Sequence, residues 1–144
     1  MKALLALVVL TSLCAQSQTV YKQDYGFVTS IVDGDTLVIN NQDKMRLTGV
    51  NTPEYYQRCY NESTNKLKEL ILNKRVILER DILETDRYNR FLRYVFLGKI
   101  FINLEMIKSG YAYFEEIKPN VEYSKELQEA EEYAKKNNLG CLWP

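Results

Sequence analysis

Arg46 lies between Met45 and Leu47, inside a run that otherwise reads as a β-strand. A charge in such a place needs a partner or a task. Directly after that run come Asn51, Thr52, Pro53 and Glu54. Asp35 follows the turn Asp33-Gly34, and Arg90 follows Asp86-Arg87-Tyr88-Asn89. Apart from Arg46, these fall at strand ends or in adjoining loops, where functional groups usually sit. The chain contains no histidine, which excludes serine–histidine triads, cysteine–histidine dyads, histidine-ligated zinc and paired-histidine phosphoryl chemistry. Carboxylates, arginine, lysine, tyrosine and a hard cation held by oxygen remain. Asp35, Asn51 and a backbone carbonyl near Thr52 can give oxygens to one such cation. Arg46 and Arg90 offer planar donor forks that suit a phosphate. Glu54 is a carboxylate available to orient or deprotonate a water. Together they meet the needs of phosphoryl hydrolysis. The same residues also fit blander roles: a common Asp-Gly-Asp turn, two surface ion pairs and a solvated glutamate. Types and spacing leave both readings open.

Short elements must position these groups. Tyr25 to Val32 alternates and carries β-formers, Thr36 to Ile39 resumes after the first turn, and Lys44 to Val50 follows Asn40-Asn41-Gln42-Asp43. This predicts an antiparallel meander of three strands, ended by Pro53, with a loop over Asn51 to Asn61. Glu62 to Asn73 places Leu67, Leu70 and Ile71 at helical spacing. Val76 to Arg80 and Phe91 to Leu97 predict two more strands, separated by the polar loop Leu83 to Arg90. Asn103 is expected to cap a short helix through Lys108, closed by Gly110, and a last helix runs over about Tyr123 to Asn137. Five short strands with helices inserted late predict an α+β fold: a five-stranded Greek-key barrel of the oligonucleotide-binding (OB) type with three α-helices.

Length and composition suit one domain. The 144 residues carry 19 basic and 19 acidic side chains, so bulk charge favours no polyanionic partner, and any nucleic-acid binding must come from a local patch. Met1-Lys2 followed by an apolar run through Leu10 reads as a secretory signal peptide of residues 1–17, with Ala15-Gln16-Ser17 as its small-x-small cleavage pattern. Residues 18–24 read as a linker and residues 25–144 as the domain. The apolar run falls short of the about 20 residues of a membrane span. Cys14 raises the alternative of a lipid-anchored chain. Once the leader is removed, Cys59 and Cys141 form an even pair in an oxidising compartment, read either as a staple or as two independent thiols. Tyr55 and Tyr56, directly after Glu54, read either as residues lining the cleft or, more commonly for loop tyrosines, as partly buried packing residues, and Trp143 reads as a plug that anchors the last helix rather than a stacking platform.

Val32-Asp33-Gly34-Asp35-Thr36, Arg46-Leu47 running into Val50-Asn51-Thr52-Pro53-Glu54, and Asp86-Arg87-Tyr88-Asn89-Arg90 match, in order and spacing, the staphylococcal-nuclease-like (thermonuclease) family. The resemblance continues through Asn103-Leu104, Lys108-Ser109-Gly110-Tyr111-Ala112 and Gly140-Cys141-Leu142-Trp143. It implies a calcium-dependent nuclease acting on DNA or RNA, endonucleolytic, with the 5′ oxygen as leaving group and 3′-phosphate ends. Asp35, Asn51 and the Thr52 carbonyl then fall at calcium-ligand positions. Arg46 and Arg90 fall at the phosphate-binding arginines and Glu54 at the water-activating glutamate. Tyr88 falls beside the nucleotide phosphate. Tyr113 is the candidate for base contact in a segment shorter than the family's, where Glu115 and Glu116 could repel substrate. Asn51 departs from the family's aspartate, which keeps an oxygen but removes a charge and implies weaker calcium binding. The expected protein is a secreted monomer with nucleic acid as its partner and no membrane span. The rival expectations are a non-catalytic OB-fold module that binds nucleic acid or protein, and a secreted structural domain.

Overall fold

The computed structural model describes residues 22–144. The signal-peptide reading, its cleavage point and Cys14 lie outside the described residues. Eight strands and three helices alternate among those described: β1 (Gln23–Ile31), β2 (Thr36–Ile39), β3 (Asp43–Leu47), β4 (Val50–Asn51), α1 (Tyr60–Ile71), β5 (Arg75–Glu79), β6 (Phe91–Leu97), β7 (Ile100–Phe101), α2 (Ile102–Lys108), β8 (Tyr113–Phe114) and α3 (Ser124–Lys136). Because β1 starts at Gln23, the last two residues of the expected linker lie in the sheet. No helix among the described residues is long and apolar enough to cross a membrane.

Five strands close into the expected barrel, in the order β3-β2-β1-β5-β6, with β3 returning to pair with β6. A bulge between Val28 and Ser30 bends β1, so that its first half pairs with β5 and its second half with β2. The β1–β2 and β2–β3 hairpins are antiparallel, and the closing β3–β6 pair is parallel. Closure abolishes the open sheet edge. It also matters for function, since Arg46 faces Leu92 across that seam, two residues along from Arg90. Val28, Leu37, Leu47 and Val95 fill the interior, fully shielded from solvent. Helix α1 buries Leu67 and Ile71, and α3 buries Leu127, Ala130 and Ala134, as their helical spacing requires.

Two local expectations are corrected. The third strand, expected through Val50, stops at Leu47 because Gly49 takes a left-handed conformation (φ +78°) that turns the chain. Val50 and Asn51 then pair with Phe114 and Tyr113 in a separate two-stranded sheet. Asn103 does not cap α2, which starts one residue earlier with Phe101 at the cap position. Its buried amide instead accepts from Val95 N (2.8 Å) and donates to Thr48 O (2.8 Å) and Arg93 O (3.3 Å). The helix is thereby tied to β6 and to the turn that ends β3.

Candidate active site

The turn before β2 builds one wall of the site. Asp35 N donates to Asp33 Oδ1 at 3.1 Å, the side-chain-to-backbone bond that shapes an Asx turn. Gly34 must be glycine here, because a Cβ would come within 2.8 Å of both Thr52 Cγ2 and Ser63 Cβ. That close approach brings Thr52 onto Asp35. Thr52 N and Thr52 Oγ1 both donate to Asp35 Oδ2, at 3.1 and 3.2 Å, while Thr36 Oγ1 donates to Asp35 Oδ1 at 2.9 Å. Asp35 is only 5% exposed, a buried carboxylate fixed by three donors. Burial, and then the like charge of Asp35, push the Asp33 carboxyl above its ordinary pKa.

Both arginines are tied to this wall. Arg46 is the cross-strand neighbour of Thr36, and its Nη1 lies 3.8 Å from Asp35 Oδ1. Its Nη2 reaches Val50 O (3.2 Å), Asn51 Oδ1 (3.5 Å) and Glu115 Oε2 (2.9 Å). Arg90 Nη1 donates to Thr36 Oγ1 at 3.0 Å, and its Nε donates to Asp86 Oδ2 at 2.7 Å. Burial alone would raise the Asp86 carboxyl, yet hydrogen bonds from the Arg90 backbone and guanidinium and from Tyr88 N outweigh it and hold it below its usual value. The exposed Tyr88 ring stands 5.5 Å from the Arg90 guanidinium and 4.8 Å from that of Arg87.

Asp35, Arg46, Asn51, Thr52, Glu54, Tyr88 and Arg90 all line one open cleft of about 660 Å³. A family model described as "Staphylococcal nuclease homologue" matches residues 44–144, which include every one of these except Asp35. The chain belongs to the staphylococcal nuclease family. A "Thermonuclease" of Staphylococcus hyicus is 36% identical over 102 residues, covering 65% of this chain and 60% of the relative. A second "Thermonuclease", of Staphylococcus intermedius, is 32% identical over 137 residues, covering 89% and 81%. An "Uncharacterized endonuclease" of Haemophilus influenzae is 40% identical over 90 residues, covering 60% and 49%. The chain therefore spans between about half and four fifths of the length of these three relatives.

Within this staphylococcal nuclease domain, Glu54 is exposed, and no other described side chain holds its carboxylate. Its backbone is fixed by Gln57, whose side chain accepts from Glu54 N and whose own N–H donates to Glu54 O, both at 2.8 Å. Tyr113 lies outside the main cleft. It pairs with Asn51 in the small sheet, packs edge-on against Trp143 (5.4 Å), and lines an adjoining cavity. Lys44, Arg87, Asp33 and Glu115 also line the cleft, which therefore carries four cations and four carboxylates. Lys44 was legible in the strand period, since residues two apart on β3 share a face and Arg46 is on it. The fold of the 113–116 segment brings in Glu115.

The cleft's donor set suits a hard cation. Among the described residues no group of three or more His, Cys, Asp or Glu is placed to hold a metal ion. What the wall offers is the Asp33–Asp35 carboxylate pair plus neutral oxygen at Asn51 and Thr52. An all-oxygen set with few charges suits a hard cation better than a softer metal.

Proposed function

We propose that this protein is a calcium-dependent nuclease that hydrolyses phosphodiester bonds of DNA or RNA, cutting within the strand and leaving 3′-phosphate ends. The observation that carries the reading is the run Arg46–Asp35–Thr36–Arg90, which anchors both donor forks to one buried carboxylate–hydroxyl pair. Two forks so fixed suit the oxygens of a single phosphate. Asp35, Asn51 and the Thr52 carbonyl are the residues proposed to hold the calcium ion. Bound there, calcium would polarise a phosphoryl oxygen and favour ionisation of water. Glu54, whose carboxylate no other described side chain holds, lines the cleft, orients the attacking water and accepts its proton. As the new P–O bond forms and the bond to the 5′ oxygen breaks, negative charge grows on the equatorial oxygens, where Arg46 and Arg90 neutralise it. The departing 5′ oxygen takes a proton from solvent and ends as a hydroxyl.

The printed names of the staphylococcal and Haemophilus relatives support this class of activity. A disulfide between Cys59 and Cys141 supports the secreted location proposed with the 1–17 leader, since such bonds persist in oxidising compartments. The protein is proposed to act there as a monomer. Plasmid nicking in a calcium titration, with chelator as control, tests the reading. Chelator should stop cleavage, and the fragments should become substrates for a 3′-phosphatase. Asn51→Asp should lower the calcium concentration giving half-maximal rate. Cleavage that is indifferent to chelator contradicts the metal's role, and 5′-phosphate ends contradict the direction of attack.

A further inference from the structure

The main cleft does not end at Glu54. A second cavity of about 530 Å³ shares Asn51, Thr52, Pro53 and Glu54 with it and continues past Gln57, Arg58 and Tyr113. The main cleft shares Arg46, Arg87, Tyr88, Arg90 and Glu115 with a third, smaller cavity of about 250 Å³. The loop beside the second cavity is unusual in what it leaves uncovered. Tyr55 and Tyr56 are 82% and 84% exposed, more than any other large apolar side chain described, where packing residues were expected. Arg58 is exposed and has no hydrogen bond or ion pair with any other described residue.

This exposure belongs to a held loop. Buried Pro53 precedes it, and Cys59, 4% exposed and disulfide-bonded to Cys141, follows it. The reciprocal Glu54–Gln57 bonds brace it from within, and the Tyr55 ring meets Tyr60 edge-on at 5.4 Å. Two exposed aromatic rings and an unpaired guanidinium on this held loop, beside the cleft that carries Arg46 and Arg90, are the parts of a platform for single strands. Bases stack on aromatic rings and phosphates pair with arginine, at little ordering cost when the loop is already set. A duplex keeps its bases stacked on one another and offers no free face to such rings.

Resting on the nuclease reading above, we propose that Tyr55, Tyr56 and Arg58 form a second subsite for the single-stranded nucleic acid flanking the phosphate under attack. Arg58 takes a flanking phosphate, and the two rings take unstacked bases.

The test uses the full chain carrying Glu54→Gln, in calcium, so that turnover is slowed while affinities are read by fluorescence anisotropy. The ligands are a dinucleotide, a single-stranded octanucleotide and an eight-base-pair duplex. The octanucleotide should bind more tightly than either of the others. Tyr55→Ala/Tyr56→Ala should lower the octanucleotide-to-dinucleotide affinity ratio about 100-fold, the scale of two lost base–aromatic stacks at about tenfold each. Tyr56→Ala alone, which leaves the Tyr55–Tyr60 contact in place, should lower it in the same direction. Arg58→Ala should reduce the slope of log affinity against log salt by about 0.7, one phosphate contact on a single strand. A ratio unchanged in the tyrosine variants, or a duplex bound as tightly as the octanucleotide, overturns the subsite. Cleavage by the parent chain is scored separately. A parent without calcium-dependent cleavage, but with length-dependent binding that the variants abolish, would remove the nuclease reading and keep the subsite.

Discussion

Glu115 holds Arg46 Nη2 at 2.9 Å, so in the proposed reaction a substrate phosphate must displace a carboxylate before it can take that fork. The Glu115 side chain is half exposed, and an exposed ion pair contributes only about 0.2–1 kcal/mol. Glu115→Gln should therefore lower KM by a factor of about 1.5 to 5 and leave kcat nearly unchanged, measured by steady-state cleavage of an oligonucleotide. A raised KM would show that Glu115 helps to hold substrate. Asp86 acts on the other fork. Its carboxyl, depressed below the usual value, contributes stability that is full above the unfolded pKa of about 3.9 and is lost as pH falls through the folded value. Asp86→Asn should accordingly be less stable than the parent at pH 6, with the gap closing below about pH 4 in urea melts. A gap that is independent of pH would contradict the charge assignment. At this scale the sequence discloses residue types well and partners poorly. Arg46 and Arg90 stand out in one dimension, whereas the shared anchor at Asp35 and Thr36 exists only once the strands pair.

At the scale of elements, regular periodicity is legible and exceptions to it are not. The five barrel strands and three helices follow from alternation and helical spacing. Their closure through a parallel β3–β6 pair joins residues 45 and 91, a distance that no local pattern records. The break after Leu47 hides in a run whose β-formers continue to Val50, and only the positive φ of Gly49 reveals it. Asn103 shows the same limit. Before a short apolar helix an asparagine looks like a cap, yet here its amide bridges α2, β6 and the β3 turn. Asn103→Ala would strand the buried Val95 N–H and Thr48 carbonyl and should cost about 2–4 kcal/mol by urea unfolding. A loss below about 1 kcal/mol would return Asn103 to the rank of an ordinary helix residue.

For the whole molecule, the Cys59–Cys141 bond joins the loop after Glu54 to the C-terminal tail across 82 residues of sequence. Closing a loop of that length constrains the unfolded chain by about 4 kcal/mol in the chain-entropy account. Reduction, or the double Cys59→Ser/Cys141→Ser change, should lower stability on that scale. Thiol titration of the denatured, unreduced chain should find neither cysteine free, and two reactive thiols among these residues would remove the staple. The same bond fixes one end of the loop that carries Glu54, so reduced protein should also lose activity before it unfolds. In the reaction proposed for the cleft that this architecture assembles, Arg46 and Arg90 grip one phosphate more strongly as charge builds on it. The direct measurement is kcat alongside substrate Kd for the parent, Arg46→Lys and Arg90→Lys, with circular dichroism to confirm folding. Lysine keeps the charge and loses the fork, so each variant should lose about 10²- to 10⁴-fold in kcat while Kd changes far less. A parent that binds nucleic acid without calcium-dependent cleavage, or lysine variants that lose binding as much as turnover, would contradict the account.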